Sequence, residues 1–383
     1  MPEKKKQHYV PKCLLKNFSD SKQNIHIFRL EKNNIISKPV PYGSQCKNDY
    51  MYGKDVFWEN KLNDYETIVS PIIDKIIHCK FISVEEESII KNFVLFQHLR
   101  TDKAVDINLG MINHVTRKTL DIISQMKSLN LSSEQLDEYA SHYIQMNHSR
   151  ANTAMQNLEI ATKYINSIDD LHLVFLQTET SEFVCSDNPV VMENLFQSES
   201  GLGFGCAGII LFMPISSKFA ILLYDSKIYL TDKDPKLNII MLTNKETFQF
   251  NKFAYLYAKE LLFANNVNEL KKLKEYFDRK YIDNNLRKIL SFFGRSDPIL
   301  IGIEIEKLKK SNLKVINETI PKFIAKKEYE VFPVLYLNEY FKPYANKRFT
   351  FFLRNETMDE LRIRMSYWDK NFCALVEKYF SKK

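Results

Sequence analysis

Residues 209–224, IILFMPISSKFAILLY, form two apolar runs that are separated by the polar residues Ser216, Ser217 and Lys218. Each run is brief and rich in Ile, Leu and Phe, which is typical of a buried strand bounded by a turn. Comparable runs lie nearby at HLVFLQT (172–178), EFVCS (182–186) and KIYLT (227–231). Polar or glycine-containing segments divide them. The sequence therefore predicts a central antiparallel β-sheet.

Helical patterns flank this sheet on both sides. Near the start of the chain a β-hairpin is predicted, because strand-like alternation occurs in NIHIFRL (24–30) and again near Ile35. Apolar residues then recur at helical spacing, and Ser83 with the acidic residues after it resembles a helix start. The predicted helices are 57–76 with a kink at Pro71, 83–107, 107–126, 134–167, 244–264 and 268–293.

This order of elements predicts an α+β fold, in which a helical block packs against a central, mostly antiparallel β-sheet. No internal repeat or low-complexity linker interrupts the chain. We therefore predict one composite domain over residues 1–298. Residues 299–383 mix strand-like and helical pieces, and they are predicted to form a C-terminal extension.

Composition limits the classes of partner. The 383 residues are 45% hydrophobic with a net charge of +7, so an ordinary globular core and a mild preference for anionic partners are expected. The six cysteines show no CxxC pair, which argues against a zinc knuckle or a disulfide framework. No stretch approaches the roughly 18 apolar residues of a membrane span. We expect a cytoplasmic protein with no membrane partner and a nucleic acid or another anionic ligand as partner.

The segment QHYVPKCLLKNF (7–18) places Gln7, His8 and Tyr9 side by side on extended backbone, because the residue before a proline avoids the helical region. This segment resembles the bacterial domain-of-unknown-function 4238 family, which is recognised by an HYVP motif followed by a Leu-rich start and a Phe. The resemblance continues through YMYGKDVFWENKLNDYE (50–66), FVLFQHLRTDKA (93–104), FVCSDNPVV (183–191) and IILFMPISS (209–217). It implies a fold and a set of recurring polar positions, but no reaction.

Three of these polar residues have side chains suited to phosphate chemistry. His8 titrates near neutral pH and can act as an acid or a base, while Arg100 can hold an anion through its planar guanidinium. Asp187 follows a strand and can orient His8. These residues predict an enzyme that cleaves a phosphodiester, with RNA favoured and no cofactor. By analogy, a bacterial defence or toxin effector is expected.

Further polar residues are candidates for binding the substrate. Gln97 and Arg100 are three residues apart and share one helical face. The remaining candidates flank the proposed catalytic residues, and they are Gln7, Tyr9, Ser186 and Asn188.

Two other functions remain open. In a non-catalytic module, the same residues would bind a small anionic ligand or a partner protein, or would be purely structural, with Arg100 paired to Asp102 and the SDNP residues bonding their own backbone. In a metal-dependent hydrolase, Glu59, Glu66 and Asp187 would hold Mg or Mn, because the two glutamates are seven residues apart and share a helical face.

Overall fold

The computed structural model describes residues 5–129, 131–196, 203–233, 238–280, 332–339, 341–342 and 354. The helices are α1 (Lys12–Leu15), α2 (Phe57–Cys79), α3 (Val84–Leu99), α4 (Asp102–Met126), α5 (Ser133–Asn147), α6 (Arg150–Lys163), α7 (Asn244–Tyr257) and α8 (Val267–Lys280). The strands are β1 (Lys6–His8), β2 (Asn24–Arg29), β3 (Asn34–Ile35), β4 (Val40–Pro41), β5 (Lys47–Asp49), β6 (His172–Thr178), β7 (Cys185–Ser186), β8 (Val191–Glu193), β9 (Ile210–Pro214), β10 (Phe219–Tyr224), β11 (Tyr229–Leu230), β12 (Ile239–Leu242), β13 (Leu261–Ala264) and β14 (Tyr336–Leu337).

The two runs of residues 209–224 form the middle of a five-stranded sheet, ordered β12-β6-β10-β9-β8. β10 is antiparallel to both neighbours, so Ile221 lies opposite Phe175 on one side and Met213 on the other. All six residues of β10 are buried, as expected for a strand covered on both faces. Among the described strands of this sheet, only the β12–β6 pair is parallel. The predicted α+β class with a mostly antiparallel sheet is confirmed.

A second sheet contains β3, β2, β13 and β7, with β4 also paired to β2. The EFVCS run contributes β7 to this sheet, instead of joining the central one as predicted. The helix predicted over 244–264 is also wrong at its end, because α7 stops at Tyr257 and residues 261–264 form β13. The backbone N–H groups of residues 259–261 donate to the Asp187 carboxylate, so they are not available to continue a helix.

Two of the predicted helices are each divided into two shorter helices. In both cases a polar side chain caps the start of the second helix, and apolar periodicity does not reveal such a cap. The predicted helix 83–107 is two helices, because the Thr101 side chain accepts the N–H of Ala104 and starts α4. Likewise, Ser149 starts α6 and ends the continuity predicted for 134–167. α2 in turn continues through Pro71 to Cys79.

The described parts of the C-terminal extension pack onto this domain. β14 pairs with β11, and the rings of Phe332 and Phe341 are fully buried in the main core. Arg354 donates to both carboxylate oxygens of Asp170. The rest of the predicted extension, and the end of the predicted helix 268–293, lie outside the described residues. None of the helices in the described segments has the length and apolar character needed to cross a membrane.

Candidate functional site

The first residues of the HYVP segment, together with Lys6, form β1 in a small antiparallel ribbon. In the β1–β5 pair, Lys6 lies opposite Asp49 and His8 lies opposite Lys47. Side chains alternate along a strand, so Lys6 and His8 share one face while Gln7 takes the other. This alternation separates a buried anchor from the residues that line a cleft.

Gln7 is the anchor, and its side chain is fully buried. Its Oε1 accepts the backbone N–H of Tyr52 at 2.6 Å, and its Nε2 donates to the carbonyl of Gly53 at 2.9 Å. From the other side, Gln97 Nε2 donates to the carbonyl of Tyr9 at 3.0 Å. The two glutamines predicted to bind substrate therefore hold the strand in place.

Arg100 completes this support beneath His8. The side chain is 3% exposed, and its guanidinium donates to the His8 carbonyl at 2.7 Å and to Glu66 Oε1 at 2.8 Å. The Tyr52 hydroxyl lies 3.5 Å from Nε and donates to the Arg100 carbonyl at 3.0 Å. Burial alone would lower the pKa of Arg100, but Tyr52 and Glu66 outweigh it and raise that pKa. The predicted alternative partner Asp102 pairs instead with Arg150 and Lys259.

The ribbon and α2 enclose an open cleft of about 320 Å³. Lys6, His8 and Lys12 line it from the N-terminal side, and Glu59, Asn63 and Glu66 line it from α2, with Arg100 between them. The α2 residues are spaced by four and three positions, so they share one face of the helix. The cleft thus has one basic wall and one acidic wall.

His8 is partly buried at the edge of this cleft. Its Nε2 lies 3.2 Å from the Gly43 carbonyl, which can only accept, so the hydrogen is on Nε2 and Nδ1 of the neutral ring is an acceptor. Burial lowers the pKa of His8 below 6.5, and Lys12 and Lys47 lower it further, while Gly43 and Glu66 act in the opposite direction. The imidazole is therefore mainly neutral at pH 7.

Asp187 does not line the cleft. Its carboxylate is 2% exposed and accepts backbone N–H groups from Lys259 at 2.7 Å, Glu260 at 2.7 Å and Leu261 at 3.0 Å. Burial raises the pKa of Asp187 to about 6, although these N–H donors act in the opposite direction. The prediction that Asp187 orients His8 is not met, because the His8 ring contacts Gly43 instead.

The neighbours of Asp187 are also occupied inside the protein. Ser186 Oγ accepts the backbone N–H of Asn188 at 3.2 Å. Asn188 Oδ1 accepts from the Thr101 hydroxyl at 2.8 Å, and its Nδ2 donates to the Tyr257 carbonyl at 3.1 Å. The SDNP turn therefore links the start of α4 to the end of α7. The structural alternative, in which these residues bond the backbone of their own turn, describes Ser186, whereas Asp187 and Asn188 bond distant segments.

Two of the three residues proposed as metal ligands lie together in the cleft. Glu59 and Glu66 line the cleft, whereas Asp187 bonds backbone groups elsewhere. Across the described residues, no group of three or more His, Cys, Asp or Glu side chains is arranged to hold a metal ion.

Three cleft residues were missed from the sequence. Lys6 alternates with His8 along β1, and Asn63 lies one helical turn after Glu59, so both positions follow from strand and helix spacing. Lys12 follows the proline of the HYVP motif at the start of α1. The two lysines could have been found from their positive charge next to the HYVP motif. Lysine is so common in this chain that its presence there did not distinguish them from other surface lysines.

A family model described as protein of unknown function (DUF4238) matches residues 6–268. This span includes every residue that lines the cleft and ends within α8. Neither the curated proteins nor the solved structures contain a match to the chain.

Proposed function

The chain belongs to the DUF4238 family, and from the chemistry of the cleft we propose that it cleaves phosphodiester bonds, with RNA as the favoured substrate and His8 as the acid/base residue. The observation that carries this proposal is the position of the His8 ring. It is partly buried, contacts the Gly43 carbonyl through one nitrogen, and lies in an open cleft with lysines on its own side.

A neutral imidazole at pH 7 is suited to accept a proton. Because its pKa lies below 6.5, most of the His8 side chains are in the basic form at neutral pH. With RNA, His8 would take the proton of a ribose 2′-hydroxyl, the 2′ oxygen would attack the phosphorus, and the bond from phosphorus to the 5′ oxygen would break. The leaving oxygen would take its proton from water. DNA lacks this hydroxyl, so the mechanism favours RNA.

Arg100 has a supporting part in this proposal. Its guanidinium already bonds Glu66 and the His8 carbonyl, so it positions the strand that bears His8 instead of binding a phosphate as first predicted. Gln97 supports the same strand through the Tyr9 carbonyl. Lys12 supplies positive charge that attracts substrate to the cleft, whereas Lys6 is paired with Asp49.

The test compares cleavage of a single-stranded RNA and of its DNA counterpart by wild-type protein and by His8→Gln. Removing a general base is expected to reduce the rate about 100-fold or more. His142→Gln is the matched control, because His142 is exposed on α5. The proposal fails if wild-type protein leaves RNA intact, or if His8→Gln cleaves it at the wild-type rate while remaining folded.

A second function is favoured by the size and polarity of the cleft. A volume of about 320 Å³ between a basic and an acidic wall is suited to a small ligand that carries a phosphate and hydrogen-bond donors. In that case the protein binds the ligand without cleaving it. Saturable binding of a nucleoside monophosphate, with no cleavage of RNA, would support this function over the first.

An RNA-cleaving activity would also suit the proposed role as a bacterial defence or toxin effector. Controlled expression in a bacterial host tests this role. Growth arrest with wild-type protein, and normal growth with an equal amount of His8→Gln, is the expected result. Normal growth with both proteins would contradict it.

A further inference from the structure

Several cations surround the His8 ring, but two of them are already neutralised. Lys6 Nζ lies 2.5 Å from Asp49 Oδ1 across the β1–β5 ribbon. Arg100 is paired with Glu66 at the bottom of the cleft. Neither charge is available to a ligand without breaking an existing ion pair.

Lys12 and Lys47 differ from these two. Lys12 lines the cleft and is exposed. Lys47 lies directly opposite His8 in the ribbon, and both lysines are close enough to disfavour the protonated His8 ring. Among the residues that the structure describes, neither lysine side chain has a hydrogen-bond or ion-pair partner. Two lysine side chains without an ion-pair partner among the described residues therefore lie near the His8 ring, Lys12 in the cleft and Lys47 across the ribbon.

We propose that Lys12 and Lys47 form a phosphate-binding subsite that holds a phosphate group of the ligand beside His8. Phosphate binding by this subsite does not depend on RNA cleavage. The inference rests on the proposed function only where the bound phosphate is identified as a phosphate of the RNA substrate. A phosphate carries the charge and the acceptor oxygens that both ammonium groups require. Binding it would give each ammonium group a charge-assisted hydrogen bond.

The subsite also changes the protonation of His8. The charged groups around the ring are Lys6, Lys12, Lys47, Glu59, Glu66 and Arg100. An anion held between Lys12 and Lys47 adds negative charge next to the imidazole, which favours its protonated form. Bound phosphate therefore raises the pKa of His8. Through linkage, phosphate of a given charge binds more tightly to the protein when His8 is protonated.

The experiment uses inorganic phosphate and the full chain. Phosphate affinity is measured by calorimetry, and the His8 ring is titrated by NMR with and without phosphate, after assignment with His8→Gln. Loss of one charge-assisted hydrogen bond is expected to weaken binding about tenfold in Lys12→Gln and again in Lys47→Gln. Lys61→Gln is the matched control, because Lys61 lies two residues after Glu59 and points away from the cleft on α2.

Two results together support the subsite. Phosphate binding weakens in Lys12→Gln and Lys47→Gln but not in Lys61→Gln, and phosphate raises the pKa of His8. It is overturned if wild-type protein binds no phosphate, or if the double variant binds phosphate as tightly as wild-type protein. The proposed RNA cleavage is scored separately. If the wild-type protein binds phosphate at this subsite but does not cleave RNA, only the proposed cleavage is refuted. If the double variant cleaves RNA and binds phosphate with unchanged affinity, only the subsite is refuted.

Discussion

The HYVP and SDNP segments look alike in sequence, and the protein uses them in opposite ways. Each places polar side chains at the end of a short strand and shortly before a proline, with His8 three residues before Pro11 and Asp187 two residues before Pro189. His8 lies at the edge of an open cleft, whereas Asp187 is 2% exposed. The comparison shows that a polar residue before a proline marks a fixed backbone, but does not distinguish a ligand site from a structural support.

The difference lies in the partners of each side chain. Asp187 is fully occupied, since it accepts three backbone N–H groups from the segment between α7 and β13. His8 has one contact from its ring, to Gly43, while its backbone carbonyl accepts from Arg100. In the cleft, buried residues such as Arg100 therefore supply the support, and the proposed function assigns the His8 ring to a ligand. The stabilities of variants in the two segments test this division.

The largest expected effect is that of Arg100→Ala. It removes a buried cation and leaves the Glu66 carboxylate and the His8 carbonyl without their donor. We expect the free energy of unfolding to fall by about 4 kcal/mol, as measured by urea denaturation. A double-mutant cycle with Glu66→Gln and with the variant that carries both changes gives the interaction energy between Arg100 and Glu66. A loss below about 1 kcal/mol would show that Arg100 does not support the ribbon.

Asp187→Ala should come next. The change removes a buried acceptor and leaves three backbone N–H groups without a partner at the start of β13. We expect a loss of about 3 kcal/mol at neutral pH. If instead the variant is as stable as wild-type protein but loses activity, the turn belongs to the functional site and the contrast with His8 is wrong.

The pH dependence of stability sharpens the same contrast. Burial raises the pKa of Asp187 from 3.8 to about 6 in the folded protein, so the unfolded chain loses this proton at lower pH. The contribution of Asp187 to stability is therefore complete below pH 3.8 and declines as the pH rises through about 6. Urea denaturation of wild-type protein and Asp187→Ala across this range should show the difference between them shrinking. A constant difference would contradict the raised pKa.

His8→Gln should have the smallest effect on stability. The ring makes one hydrogen bond at 3.2 Å from a partly exposed position, so a loss under about 1 kcal/mol is expected. Thermal and urea unfolding measure this loss on the same samples that are used for the cleavage assay. A loss as large as that of Arg100→Ala would identify His8 as a structural residue.

Local signals in the sequence predicted much of the fold. The apolar runs of β6, β9 and β10 and the Ser83 cap of α3 are interactions within a few residues, and the structure has them where they were predicted. The end of α7 was wrong because Asp187, some 70 residues earlier in the chain, binds the backbone that follows the helix. Periodicity contains no information about such a distant acceptor.

The sequence by itself determined the α+β class, the family and the extended HYVP segment, because these depend on composition, periodicity and the restriction that a proline imposes on the preceding residue. Only the tertiary structure decided that His8 joins Lys12, Glu59 and Glu66 in one cleft. It also decided that Asp187 is excluded from that cleft. Both outcomes depend on long-range hydrogen bonds and burial, which fix the partner of a polar side chain only once the sheets and helices have packed.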